Sequence, residues 1–350
     1  MSEYLSTKYK NLVPYVPGEQ PRDKKYIKLN TNESPFQASN NVSLDDAINN
    51  IMLYSDPTCL SLRKKIADIF KIDIDEIMFS NGSDEMLNFA FMAYTDNMTP
   101  AVFPDITYGF YKVFSNVNNT PYIEIPLKDD LSIDINDYIN INRTIFIANP
   151  NAPTGLALSL SDIEKIVKTN PKNIVVIDEA YVDFGSESVV PLIKKYDNLL
   201  VIGTFSKSRS MAGARLGYAI ASKKIINDLN TLRYSLNPYN INSLTMSLAL
   251  NVLENNDKVM DNVKKIIENR NYLTDELKKL GFSTIDSKTN FVFTKTDKIS
   301  GKDLYQELKN RGVLVRHFDI ERIKDYVRIT IGTKDELDTL IKKIKEIIEV

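Results

Sequence analysis

The runs Asn173-Ile-Val-Val-Ile-Asp178-Glu-Ala-Tyr181 and Leu199-Leu-Val-Ile-Gly203-Thr-Phe-Ser-Lys207 decide the fold. Each is short, β-rich and nearly all apolar, and each ends in a polar cluster. That is the pattern of a strand covered on both faces. Runs of the same texture lie at Ile77–Ser80, Thr144–Ala148 and Leu216–Ile220. Helical patterns fall between them. Ser161-Asp-Ile-Glu164 reads as a capping box, with Ile163, Ile166 and Val167 at helical spacing. Alternating β and α units predict an α/β fold, a mostly parallel, doubly wound sheet over residues 41–245.

Outside that core the texture changes twice. Residues 1–40 are rich in Pro, Asn and Lys, with little periodicity, and read as an irregular arm. Beyond residue 245 a long amphipathic helix is predicted from Ser247 to Leu280, interrupted near Asn255-Asn256 and stopped by Gly281. Strands at Phe291–Phe293, Val313–Arg316 and Tyr326–Ile331, and helices at Asp303–Asn310 and Lys334–Ile348, complete a smaller α/β domain over 246–350.

Composition removes several function classes. The 350 residues carry 44 Lys plus Arg against 46 Asp plus Glu, a net charge of −2. Nothing there attracts nucleic acid or an anionic membrane. One His, His317, and one Cys, Cys59, cannot build a Cys/His zinc site or an internal disulfide, and no metal is expected. His317 reads as structural and Cys59 as packing. No G-x-S-x-G elbow is present, and no two of the twelve glycines are spaced as a P-loop or a G-x-G-x-x-G requires. The N-terminus has no apolar signal region and no stretch approaches 18 apolar residues, so a soluble, cytoplasmic protein is expected.

Ligands of open parallel sheets bind beyond the carboxyl ends of the strands. Asn149-Pro-Asn-Ala-Pro-Thr-Gly155 follows one strand, Asp178-Glu-Ala-Tyr181 the next, and Thr204-Phe-Ser-Lys207 through Arg215 a third. Gly82-Ser-Asp-Glu85 follows Ile77–Ser80 and opens a helix, an anion site by geometry. This set suits pyridoxal phosphate (PLP). A lysine can form a Schiff base with the aldehyde. A carboxylate can keep the pyridine nitrogen protonated, so that the ring draws electrons. A phenol or amide can bind O3′, and a cation with free helix amides can bind the phosphate. Each piece alone has a plainer reading as a surface lysine, a helix cap or a turn; their order and strand-end placement carry the signal.

The chain resembles the fold-type I PLP-dependent aminotransferases, in the subgroup of histidinol-phosphate aminotransferases, over nearly its whole length. Ser206-Lys207, with Arg215 eight residues later, is similar to the family's Schiff-base lysine and phosphate arginine. Asp178 and Tyr181 match its pair for the ring nitrogen and O3′. Ser83 and Asp84 match its phosphate-binding helix start, and Tyr108 its ring-stacking aromatic. The subgroup resemblance rests on Leu12-Val-Pro-Tyr15, Leu29-Asn-Thr-Asn32-Glu-Ser-Pro35, Gly312-Val-Leu-Val-Arg316 and Tyr326-Val-Arg328-Ile-Thr330. It implies that Arg328 grips the substrate's anion, with Tyr15, Asn32 and Arg316 as further substrate contacts. It also implies a homodimer in which Tyr54 reaches the neighbour's PLP phosphate. The family's usual Asn directly before Pro-Thr-Gly is Ala152 here, so the O3′ amide is assigned to Asn151. Lys207, Asp178 and Tyr181 are thus the expected catalytic set.

The resemblance implies a ping-pong transamination between L-histidinol phosphate and 2-oxoglutarate in histidine biosynthesis. The partners expected are therefore a small-molecule amino donor and a 2-oxo acid. Other readings of the same cofactor set are an aromatic or other amino-acid aminotransferase and a threonine-phosphate decarboxylase. A PLP-fold sensor domain of a transcription regulator would need a fused basic helix-turn-helix segment. The chain starts too close to the arm motif to leave room for one.

Overall fold

A computed structural model describes residues 5–38 and 43–349. The expected boundary between arm and large domain at 40/41 lies outside these described residues, as does the start of the N-terminal segment.

The strands, in chain order, are β1 (Ile27–Lys28), β2 (Ile77–Ser80), β3 (Ala101–Pro104), β4 (Tyr122–Ile125), β5 (Thr144–Ala148), β6 (Val175–Asp178), β7 (Leu199–Thr204), β8 (Gly217–Ala221), β9 (Ser283–Thr284), β10 (Phe291–Lys295), β11 (Val313–Leu314), β12 (Arg316–His317) and β13 (Val327–Thr330). Seven of them form one sheet in the order β2-β8-β7-β6-β5-β3-β4. Only β8 runs against its neighbours; the other adjacent pairs are parallel. The prediction of a mostly parallel sheet agrees. β3 escaped the reading because its short apolar run ends in Pro104, and β4 because it is partly exposed and interrupted by Glu124.

Strands β5, β6 and β7 are buried along their whole length because helices cover both faces. Ile145, Ile147, Val175, Ile177, Leu199 and Val201 face one layer. Phe146, Val176, Leu200 and Ile202 face the other. Truncating one of these to alanine costs about 2–5 kcal/mol. Register then fixes the edge where chemistry can sit. Ala148 pairs with Asp178, Asp178 with Ile202, and Gly217 with both Thr204 and Ser80. The polar groups that follow these strands therefore emerge side by side.

Local details correct the sequence reading. The capping box is Ser159 with Asp162, not Ser161 with Glu164, and the helix is Leu160–Thr169. The Ser159 hydroxyl accepts from the Asp162 amide, and the Asp162 carboxylate accepts in return from the Ser159 amide. The long helix is two helices, Ser243–Glu254 and Asn256–Lys279, broken at Asn255 as expected. Its first half begins earlier because Asn242 caps it, accepting from the Thr245 amide. Ala249, Val252 and Leu253 in that half join the large-sheet core, whereas Val263 and Ile266 in the second join the smaller one. Val259, early in the second half, still packs in the large-sheet core, so the change of partner falls between Val259 and Val263 rather than at 245/246.

The smaller sheet has the order β12-β13-β10-β9. The single strand expected at Val313–Arg316 is split. β11 pairs in parallel with β1 of the arm, while β12 pairs antiparallel with β13. Residues 27–28 of the arm are therefore extended, and Leu29 is buried in the small-domain core. Among the described residues no helix is long and apolar enough to cross a membrane.

Candidate active site

A cavity of about 190 Å³ opens at the carboxyl edge of the large sheet. Ser83, Asp84, Tyr108, Asp178, Tyr181, Ser206, Lys207 and Arg215 line it, together with Ala148, Ala152, Ala180 and Thr204. Eight of the predicted site residues thus meet in one place.

Asp178 ends β6 and is buried. Its Oδ1 accepts from the Ala180 amide at 3.0 Å, and its Oδ2 from the Tyr111 hydroxyl at 3.3 Å. Burial, helped by the nearby Asp84 carboxylate and opposed by its hydrogen bonds and by Lys207, raises its pKa to about 6. A buried carboxylate of this kind is best relieved by a cationic partner. Tyr111 stands in the same Tyr108-Gly-Phe-Tyr111 run that supplied Tyr108, and was missed; its position just after the aromatic was the available signal.

Lys207 follows β7. Its Nζ donates to the Thr31 carbonyl at 3.2 Å and lies 5.7 Å from the centre of the Tyr181 ring. The loop that carries it is fastened to the loop after β6. Ser208 and Arg209 both bind the Asp183 carboxylate, Arg209 at 3.1 Å. Because Asp183 lies two residues after Tyr181, this buried clamp fixes lysine and phenol relative to each other.

The far end of the cavity is built for an anion. Arg215 has φ 53°, a left-handed conformation that costs about 1–2 kcal/mol in a non-glycine residue. Its NH1 lies 3.4 Å from the Ser206 hydroxyl, and its NH2 donates to Asp84 Oδ2 at 2.9 Å. Asp84 Oδ1 accepts from the Tyr108 hydroxyl at 2.6 Å. Asp84 therefore orients the guanidinium and the aromatic together. Burial, with the Asp84 carboxylate, pushes the Tyr108 phenol well above its ordinary pKa, so it stays neutral. Gly82 opens the helix Gly82–Tyr94 with φ +77°, and a Cβ there would come within 2.4 Å of the Arg215 guanidinium. Gly217 is equally constrained, since its Cβ would meet the Ser83 amide at 2.4 Å. These two glycines let strand, helix start and arginine converge, leaving the helix's first amides for a phosphate.

Asn151 is not in the cavity. Its Oδ1 accepts from Thr107 at 2.7 Å, and its Nδ2 donates to the Ile106 carbonyl at 3.0 Å and to Thr154 at 3.1 Å. With donors and acceptor engaged inside the fold, its amide is spent, and Ala152 lines the cavity beside it. Tyr54 also stands away; it is 83% exposed and stacks on Tyr239 at 4.5 Å.

Above the cavity, Arg316 and Arg328 are direct cross-strand partners. Like charges placed opposite each other destabilise a ladder. Arg328 NH2 donates to the Asn30 carbonyl at 3.1 Å, and its buried Nε has no hydrogen-bond partner among the described residues. Arg316 donates to the carbonyls of Val16 and Pro17 at 3.1 and 3.3 Å. Neither has a carboxylate in ion-pair contact among the described residues. Tyr15 stacks on Phe110 at 4.2 Å, and Asn32 donates from Nδ2 to the Tyr181 hydroxyl at 2.9 Å. His317 points to the other face, with Nε2 2.7 Å from the Lys324 carbonyl, a structural placement.

Lysine, buried carboxylate, phenol and anion cradle, arranged at the edge of this sheet, define a PLP-dependent enzyme of fold type I. A profile of the class I and II aminotransferases matches residues 24–344. Histidinol-phosphate aminotransferase of Brachyspira hyodysenteriae is 48% identical over all of both chains. That of Clostridium beijerinckii is 43% identical over 99% of this chain and 98% of its own. The chain belongs to the class I and II aminotransferases and, within them, to the histidinol-phosphate aminotransferase family. Among solved structures, the Sinorhizobium meliloti histidinol-phosphate aminotransferase in complex with pyridoxal-5'-phosphate superposes with a TM-score of 0.90. It covers 100% of this chain and 98% of that one at 21% identity, a likeness of fold.

Proposed function

We propose that this chain transfers the amino group of L-histidinol phosphate to 2-oxoglutarate, yielding imidazole-acetol phosphate and L-glutamate. One observation carries the substrate reading. Arg316 and Arg328 stand side by side, donating to backbone carbonyls and in ion-pair contact with no carboxylate among the described residues; the Glu19 carboxylate near Arg316 is paired with Lys309. Two guanidiniums in that arrangement suit a phosphate dianion, which each can grip in bidentate fashion.

PLP supplies an exchangeable carbonyl and an electron-withdrawing ring. The residues of this chain supply the rest. Arg215, Ser206, Ser83 and the first amides of Gly82–Tyr94 hold its phosphate. Asp178 holds a proton on the ring nitrogen, a charge placed in advance of need. Tyr181 donates toward O3′. Tyr108 covers one ring face and keeps water from it. Lys207 Nζ would take the proton from the substrate's amine-bearing carbon and deliver it two atoms further on, to the carbon beyond the nitrogen, so that a single group serves as base and acid. We further propose a homodimer. Ile51, Met52, Leu53 and Tyr54 form an exposed apolar run continuous with Tyr239, a surface of the kind that pairs with another copy. Tyr54 then reaches the neighbour's phosphate cradle.

Absorbance tests the assignment. Titration of the PLP-loaded protein with L-histidinol phosphate should convert the near-visible band to the shorter-wavelength amino form, and 2-oxoglutarate should restore it. Conversion by L-phenylalanine or L-threonine phosphate but not by histidinol phosphate overturns the substrate.

A further inference from the structure

Three consecutive residues of the arm touch three different parts of the site. The Asn30 carbonyl accepts from Arg328, the Thr31 carbonyl from Lys207 Nζ, and the Asn32 amide reaches Tyr181. Asn32 is held on every side. It is buried, with φ 56°, and its carbonyl accepts from Asn290 Nδ2 at 3.0 Å. Its backbone amide donates to the Thr330 hydroxyl at 3.0 Å, and that hydroxyl donates back to Asn32 Oδ1 at 3.0 Å. Thr330 is itself buried. Turning the Asn32 amide over would leave the Thr330 hydroxyl proton without an acceptor, a costly state in the interior. Nδ2 must therefore face Tyr181.

The Tyr181 oxygen accordingly accepts, and its proton has no protein acceptor among the described residues. The other hydroxyls around the cavity are directed elsewhere: Tyr108 donates to Asp84, Thr204 donates to Ser206, and Ser206 and Ser83 stand at the phosphate end, where Ser206 accepts from Arg215. Asn151 is spent within its turn, and Ala152 carries no donor in its place. Tyr181 is left as the donor aimed at O3′.

We propose that Asn32, locked by Thr330, is a positioning residue that makes the Tyr181 hydroxyl a one-way donor toward O3′ of PLP. The proposal rests on PLP binding through Lys207. Donation from Nδ2 polarises the phenol, and a polarised donor stabilises negative charge on O3′ more strongly. The charged groups facing this corner are Asp178 from β6, Glu33 of the arm, Arg328 from β13 and Lys207 itself. Asp84 and Arg215 are paired at the far end.

The test is a pH titration of the near-visible band of lysine-bound PLP without substrate. Negative charge on O3′ helps retain the proton shared with the lysine nitrogen, and a strong donor to O3′ weakens that pull, so losing the donor raises the midpoint. Asn32→Gly, which keeps the left-handed backbone, should raise it by about 0.5–1 pH unit, roughly 3- to 10-fold in proton affinity. Thr330→Val frees the amide to turn its oxygen toward Tyr181 and should raise it similarly; Thr330→Ser should restore the wild-type value. Tyr181→Phe should raise it at least as far, and Asn32→Gly added to Tyr181→Phe should change nothing further. A band present in Asn32→Gly and Thr330→Val with the wild-type midpoint overturns the proposal alone. A wild-type protein that gives no band with added PLP overturns the cofactor reading and this proposal with it.

Discussion

The cofactor end and the substrate end of the site are built on opposite principles. At the cofactor end, charge is matched by charge before anything binds: Arg215 sits on Asp84, and Arg209 on Asp183. Those pairs hang from strand ends whose positions the buried sheet dictates. At the substrate end, Arg316 and Arg328 rest on neutral carbonyls of the arm and face one another. Burial lowers the Arg328 pKa from its ordinary value, though a guanidinium remains charged. The first region is a socket finished in advance. The second is an unbalanced charge waiting for an anion.

The largest effect should come from the socket. Lys207→Ala removes the group that moves the proton, and turnover should fall by at least about 10⁴-fold in a steady-state assay. Asp178→Asn should keep bound PLP but lower kcat by about 10²–10³-fold; an unchanged kcat would break the assignment of the ring nitrogen's partner. The substrate end should respond in the other parameter. Arg328→Gln should raise KM for histidinol phosphate by about 10–100-fold with a smaller change in kcat. Arg316→Gln, whose guanidinium is more exposed, should do less. A kcat-dominated loss in either arginine variant would erase the distinction between the two ends.

The smallest effect concerns stability. Glu179 is buried, accepting from Ser188 and the Val189 amide, and burial raises its pKa from 4.5 to about 7. A carboxyl raised in the folded state stabilises fully below its unfolded value, and that contribution is lost as pH rises through the folded one. The cofactor-free protein should therefore lose stability between about pH 4.5 and 7, by at most about 3 kcal/mol from this group. Glu179→Gln should flatten that slope in denaturant titrations at several pH values.

The sequence made the socket legible and much of the rest obscure, for physical reasons. Buried parallel strands are apolar on both faces, so β5, β6 and β7 announced themselves, and the residues after them had to share an edge. Asp178, Lys207 and Arg215 needed nothing more. Asn151 misled because local spacing cannot reveal that Thr107, forty-four residues away in sequence, takes its carbonyl. The Asn32–Thr330 lock joins residues 298 apart, and no periodicity encodes such a meeting. Ser159 lost to Ser161 in the reading because both fit the capping pattern, and only the backbone path separates them.

The break at Val315 bears on how this gene can change. Two residues before it are committed to the arm, and two after it carry Arg316 into line with Arg328. Side chains alternate along a strand, so one codon gained or lost here would turn the arginine to the opposite face while the arm stayed in register. Substitutions can be absorbed at many surfaces of this protein. Between residues 313 and 317, however, its length is as much a part of the active site as any side chain, and a library of insertions and deletions should find that stretch closed.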